Sequence, residues 1–80
     1  MLEKKSILKL FSNTLGFNVE EKDYEKHKDQ IKEWDSLAHL AILTSIDLKT
    51  NKKASGIKNL ATAQSIKDIH TILIKNKLSN

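Results

Sequence analysis

The chain has 80 residues, no Cys and no Pro, and a net charge of +4 in which all 14 basic residues are Lys. That length is one small domain with a modest core. The missing Cys excludes disulfides and Cys-based zinc sites, no apolar run is long enough for a secretory or membrane segment, and the lack of Arg weakens a nucleic-acid reading.

The charge is unevenly placed. Residues 1–19 carry +2, residues 20–35 carry −3, and residues 36–80 carry +5. The acidic block ends immediately before Ser36.

A first helix is predicted from about Leu2 to Leu15. Ile7, Leu10, Phe11, Thr14 and Leu15 recur at helical spacing and form one face. Gly16 comes next, where a left-handed residue ends a helix well. Residues 17–34 read as a long connection, and a connection of that length in so small a domain is functional or tied to the core. Phe17, Val19, Tyr24, Ile31 and Trp34 are its apolar anchors. Trp34 reads as a packing anchor, and the acidic residues around it as a solvated loop.

Asp35 is a good N-cap for a second helix, Ser36 to about Thr50, because its carboxylate can accept from the free N–H groups of the first turn. Leu37, Leu40, Ile42, Leu43, Ile46 and Leu48 make this helix apolar over much of its circumference, which predicts a central place in a bundle. Lys49, Lys52 and Lys53 read as a solvated helix end that suits the dipole. Asn51 to Gly56 reads as a turn, and Ile57 to Ala61 as one short helical turn. Thr62 is the predicted N-cap of a last helix, about Ala63 to Asn76, with Ile66, Ile69, His70 and Leu73 as its buried stripe. No segment alternates with period two. The predicted fold is all-α: three main helices and one short helix in a small bundle, with a long loop between the first two.

The segment Glu33-Trp34-Asp35-Ser36-Leu37-Ala38-His39-Leu40 carries the chemistry. Asp-Ser-Leu at the head of an apolar helix, after a long loop, resembles the phosphopantetheine attachment site of acyl and peptidyl carrier proteins. Leu60 to Ile69 resembles the same family's entry into its final helix. The helix order agrees along most of the chain, and the Trp before the motif and His-Leu after it resemble stand-alone carriers of specialised pathways. The resemblance implies an acyl-carrier-like fold and a carrier that is not an enzyme. It implies a 4'-phosphopantetheine arm on Ser36, moved there from coenzyme A by a phosphopantetheinyl transferase that uses Mg²⁺. Asp35 then helps hold the metal in that complex. Leu37 matches the residue that touches partner enzymes, and Ala41, Thr44 and Leu48 extend its stripe at helical spacing. The implied partners are the transferase and the enzymes that load and use the acyl group in a fatty-acid, polyketide or other specialised pathway. The implied state is a cytoplasmic monomer bound to neither membrane nor nucleic acid.

The chain departs from carriers of primary fatty-acid synthesis in one respect. Their second helix is acidic, whereas Ser36 to Lys53 holds Asp47 against Lys49, Lys52 and Lys53. That composition implies a small apolar contact and a dedicated partner. A Ser36–His39 catalytic pair is disfavoured, since no acid is placed to orient the His and no oxyanion site is implied. The competing class is a small basic helical module that binds nucleic acid or protein, motivated by the Lys-rich second half.

Overall fold

The computed structural model describes residues 2–80 and shows a small all-α bundle. Its three helices are α1 (Lys4–Leu15), α2 (Ser36–Lys49) and α3 (Ile66–Lys75). Four short 3₁₀ turns lie between them, at Glu21–Asp23, Lys28–Gln30, Lys53–Gly56 and Lys58–Thr62. α1 packs on both α2 and α3. None of the described helices is long and apolar enough to cross a membrane.

The periodic stripe of α1 buries Ile7, Leu10, Phe11 and Leu15. Ile42 and Ile46 of α2 and Ile66, Ile69 and Leu73 of α3 close the core around them. Each such side chain contributes about 1.5–3 kcal/mol through removal from water. Gly16 ends α1 at φ 83°, a left-handed conformation that costs a side chain with a Cβ.

Several expectations need correction. The spacing predicts that α1 starts at Leu2, but the helix starts at Lys4. Leu2 is held in extended pairing with the C-terminal segment: its N–H donates to Leu78 O at 3.0 Å, and its carbonyl accepts from Asn80 N–H at 2.9 Å. Thr62 is not the cap of α3. The Thr62 hydroxyl donates back to Asn59 O at 3.3 Å, closing its own 3₁₀ turn. Ser65 caps instead, its hydroxyl accepting from Asp68 N–H at 3.0 Å, while Asp68 Oδ2 accepts from Gln64 N–H at 3.0 Å. This near-reciprocal exchange satisfies donors that a helix start leaves free.

The predicted turn after α2 places its left-handed residues at Asn51 (φ 57°) and Lys52 (φ 66°). The Lys52 N–H donates to Asp47 O at 2.7 Å and the Asn51 N–H to Leu48 O at 3.4 Å, which terminates α2 in a Schellman motif. α3 ends in the same way, with Lys77 at φ 59° and Leu78 N–H on Leu73 O.

Residues 17–34 are tied down, as their apolar anchors imply. Val19, Ile31 and Trp34 are buried in the core cluster. Lys28 N–H donates to Gln64 O at 2.7 Å, and Lys67 N–H to Tyr24 O at 3.0 Å, so the loop is bonded to the start of α3. The Tyr24 hydroxyl lies 2.7 Å from His70 Nδ1, and His70 Nε2 lies 2.7 Å from Asn80 O. A carbonyl oxygen only accepts, so Nε2 carries a proton and, in the neutral ring, Nδ1 accepts from Tyr24.

The acidic run is a solvated loop only in part. Asp23 is buried. Its Oδ2 accepts from Glu20 N–H at 2.9 Å and its Oδ1 from Lys26 Nζ at 2.9 Å. Burial pushes the Asp23 carboxyl upward, but the hydrogen bonds from Glu20 and Lys26 and the charges of Lys26 and Lys22 outweigh it and hold the group below the usual Asp range.

Candidate functional site

Ser36 is exposed at the first position of α2. Asp35 precedes it with extended backbone, and its Oδ1 accepts from Ala38 N–H at 2.8 Å. The Asp35 carbonyl accepts from His39 N–H at 2.9 Å. Among the described residues, no acceptor meets the N–H groups of Ser36 and Leu37. They remain beside the Ser36 hydroxyl at the positive end of the helix dipole.

The head of α2 is held to the core through Trp34 and His39. Trp34 is buried, with its ring edge-on to Phe11 at 5.2 Å between centroids. Its plane lies 18° from that of His39, with the centroids 5.8 Å apart. The indole Nε1–H donates to His39 Nδ1 at 3.0 Å. An indole N–H can only donate, so Nδ1 carries no proton. His39 Nε2–H then donates to Leu60 O at 3.1 Å. Both ring nitrogens are engaged, and neither is directed at Ser36. In this geometry His39 is not placed as a general base for Ser36.

The expected partner stripe lies on the open face of α2. Leu37 is 78% exposed and Leu48 71%, and Ala41 and Thr44 between them are exposed. The Thr44 hydroxyl donates to Leu40 O at 2.9 Å, which hides much of its polarity. Leu40, 61% exposed, belongs to the same stripe and is missing from the stripe expected on sequence. Its spacing, three residues after Leu37 and four before Thr44, is the signal that finds it. The prediction that α2 is central in the bundle is therefore corrected. Only Ile42 and Ile46 are fully buried, and the opposite face has no neighbour among the described residues.

A cavity of about 560 Å³ opens beside Ser36, between the head of α2 and the loop. Trp34, His39, Leu40 and Leu43 give it largely apolar walls, Lys28 adds a cation, Asp29 and Asp35 add two acids, and Ala61 completes the lining. Leu43 and Ala61 also border a second cavity of about 340 Å³, which continues along α2 to Thr44 and Asp47. Lys28 and His39 were legible only as a loop charge and a residue near Ser36. Their role at the cavity depends on contacts with residues distant in the chain. Ala61 and Thr44 line cavity space, whereas Ala63 is buried in the core.

No family model matches the chain, and no match was found among curated proteins or solved structures.

Proposed function

We propose that this chain is an acyl carrier protein rather than an enzyme, with Ser36 as the attachment point of a 4'-phosphopantetheine arm. The observation that carries the reading is the setting of Ser36. The hydroxyl is exposed at the first residue of α2, at the mouth of a cavity and at the head of an exposed apolar stripe.

Each residue has a physical role in this reading. Ser36 Oγ attacks phosphorus of coenzyme A, forming a phosphodiester and expelling the adenosine bisphosphate half, while the hydroxyl proton passes to a base of the transferase. The free N–H groups of Ser36 and Leu37 suit the negative charge of that phosphodiester. Asp35 uses Oδ1 as the cap, and its Oδ2 makes no hydrogen bond within the described chain. That oxygen is left to meet Mg²⁺ in the transferase complex. The arm, when attached, supplies a thiol that holds an acyl group as a thioester, which the Cys-free chain cannot supply itself.

Leu37, Leu40, Ala41, Thr44 and Leu48 form the contact with the transferase and with the enzymes that load and use the acyl group. The contact is small and apolar. Lys49, Lys52 and Lys53 at its far end orient partners whose facing rim is acidic, since charge complementarity governs encounter and specificity.

The test is incubation of the apo-protein with coenzyme A, Mg²⁺ and several broad-specificity transferases, read by intact mass. Wild type gains one arm and Ser36→Ala gains none. Failure of wild type to gain mass with every transferase, or a gain in Ser36→Ala, overturns the reading.

A further inference from the structure

Two depressions of about 310 Å³ each meet at Lys49. One lies between α1 and the end of α2, the other between the ends of α2 and α3. Together they form one groove on the bundle. Leu2, Leu10 and Leu78 supply its apolar lining, and Asn13 and Asn51 add amide groups. Lys9, Lys49, Lys53 and Lys77 border it, all four exposed, and no acid does.

These cations have no counter-charge within the chain. The ion pairs among the described residues all use acids of the 20–35 loop, and none involves Lys9, Lys49, Lys53 or Lys77. Lys9 has no local partner either: the residues three and four positions away are Lys5, Ser6, Ser12 and Asn13. The helix dipole favours Lys49 in the last turn of α2 and Lys77 just past α3. It does not favour Lys9 in the middle of α1 or Lys53 at the start of a 3₁₀ turn. Lys77 also holds a left-handed backbone at φ 59°, at a helix end of the kind where α1 uses Gly16. A long cationic side chain is thus kept there against the backbone preference. Like charges gathered around one groove repel one another, and a bound anion relieves that repulsion.

We propose that this groove binds an acidic polypeptide segment of a partner protein, whose carboxylates meet Lys9, Lys49, Lys53 and Lys77. Shape selects the class of anion. A concave groove with apolar lining suits a peptide segment better than a flat bilayer does, and the lack of Arg disfavours a nucleic acid. The amides of Asn13 and Asn51 are donors for the backbone carbonyls of such a segment. The groove adjoins the α2 stripe at Leu48 but reaches round to α1 and to the end of α3, so it is a second surface. Lys49 lies about 20 Å from Ser36 along the axis of α2, at 1.5 Å per residue. The inference does not depend on an arm at Ser36.

The full chain is titrated at low salt into a fluorescein-labelled decapeptide of alternating Glu and Ala, read by anisotropy, and the backbone amide shifts are mapped. The Glu peptide binds saturably and more weakly as salt rises, a Gln-for-Glu peptide does not bind, and the shifted amides cluster at Lys9, Asn13, Lys49, Asn51, Lys53 and Lys77. Lys9→Gln combined with Lys77→Asn removes two groove cations that lie outside α2, with Asn chosen because it tolerates the left-handed backbone. This pair weakens binding about tenfold, the loss of two exposed ion pairs near the upper end of their usual strength. Lys32→Gln combined with Lys58→Gln removes the same charge outside the groove and weakens binding less than about twofold. Both pairs melt close to wild type, since the positions are exposed. No peptide binding at low salt, shifts centred elsewhere, or equal weakening by the two pairs overturns the inference. Oligo(dT) of matched length bound as tightly as the peptide, or capture on phosphatidylserine vesicles without peptide binding, assigns the groove to another class of partner and overturns it as well. Arm transfer to Ser36 is read separately by mass, so either reading can fail alone.

Discussion

Trp34 and His39 lie nearly parallel, 18° apart, and are joined by an indole Nε1–H bond to His39 Nδ1 at 3.0 Å. The pair links the end of the long loop to the first turn of α2, and His39 passes the connection on to Leu60 O. Three segments that meet around Ser36 are thus held by one neutral imidazole. His39→Ala leaves the Trp34 N–H and the Leu60 carbonyl without that partner. The expected loss is about 1–3 kcal/mol, the usual consequence of unpaired buried groups. Urea unfolding monitored by the fluorescence of Trp34, the one Trp, checks it.

Asp23 gives the fold an acid-sensitive element. Its folded carboxyl lies below the ordinary value of 3.8. The contribution is therefore complete above that value and is lost as pH falls through the lower folded one. Asp23→Asn keeps an acceptor but loses the charge that pairs Lys26. It is expected to be about 1–2 kcal/mol less stable than wild type at neutral pH. Urea midpoints measured across the acid range should converge below the folded carboxyl's titration. A gap of constant size across that range contradicts the assignment.

The two faces of α2 should respond differently to truncation. Ile46 is fully buried and Leu48 is 71% exposed. Ile46→Ala is expected to cost about 2–5 kcal/mol by leaving a core cavity. Leu48→Ala should stay within about 0.5 kcal/mol, as exposed positions usually do. Thermal or urea unfolding of the two variants separates them.

Leu37 tests the partner stripe without disturbing the fold. Leu37→Glu should leave the melting temperature close to that of wild type. It should lower the rate of arm transfer onto Ser36 about tenfold, the effect of losing one apolar anchor worth roughly 1.4 kcal/mol. Time-resolved intact mass with a limiting transferase measures it.

The helices were legible because their signals are local. Ile7, Leu10, Phe11 and Leu15 repeat at helical spacing, Gly16 ends the repeat, and Asp35 is a capping residue at the head of an apolar run. The exposure of α2 was not legible, because Leu37, Leu40 and Leu48 are as apolar as Ile42 and Ile46. Composition does not say which face has a neighbour. The start of α3 was misplaced since Thr62 and Ser65 are both good caps by type, and the 3₁₀ turn at Lys58–Thr62 decides between them. Burial of Asp23 was hidden within a run of exposed acids. Ser36 and Asp35 stand out in the sequence by their motif, but the cavity beside them needs Trp34, His39 and Ala61 brought together by the fold.

The central claim is the covalent role of Ser36, and site mapping of the arm tests it most directly. Trypsin cuts after Lys32 and Lys49, releasing Glu33–Lys49 as one peptide that holds Ser36 and Ser45. After treatment with coenzyme A, Mg²⁺ and a transferase, fragmentation of this peptide should place one phosphopantetheine on Ser36 and leave Ser45 unmodified. An arm on Ser45, on another peptide, or on no peptide at all would contradict the account.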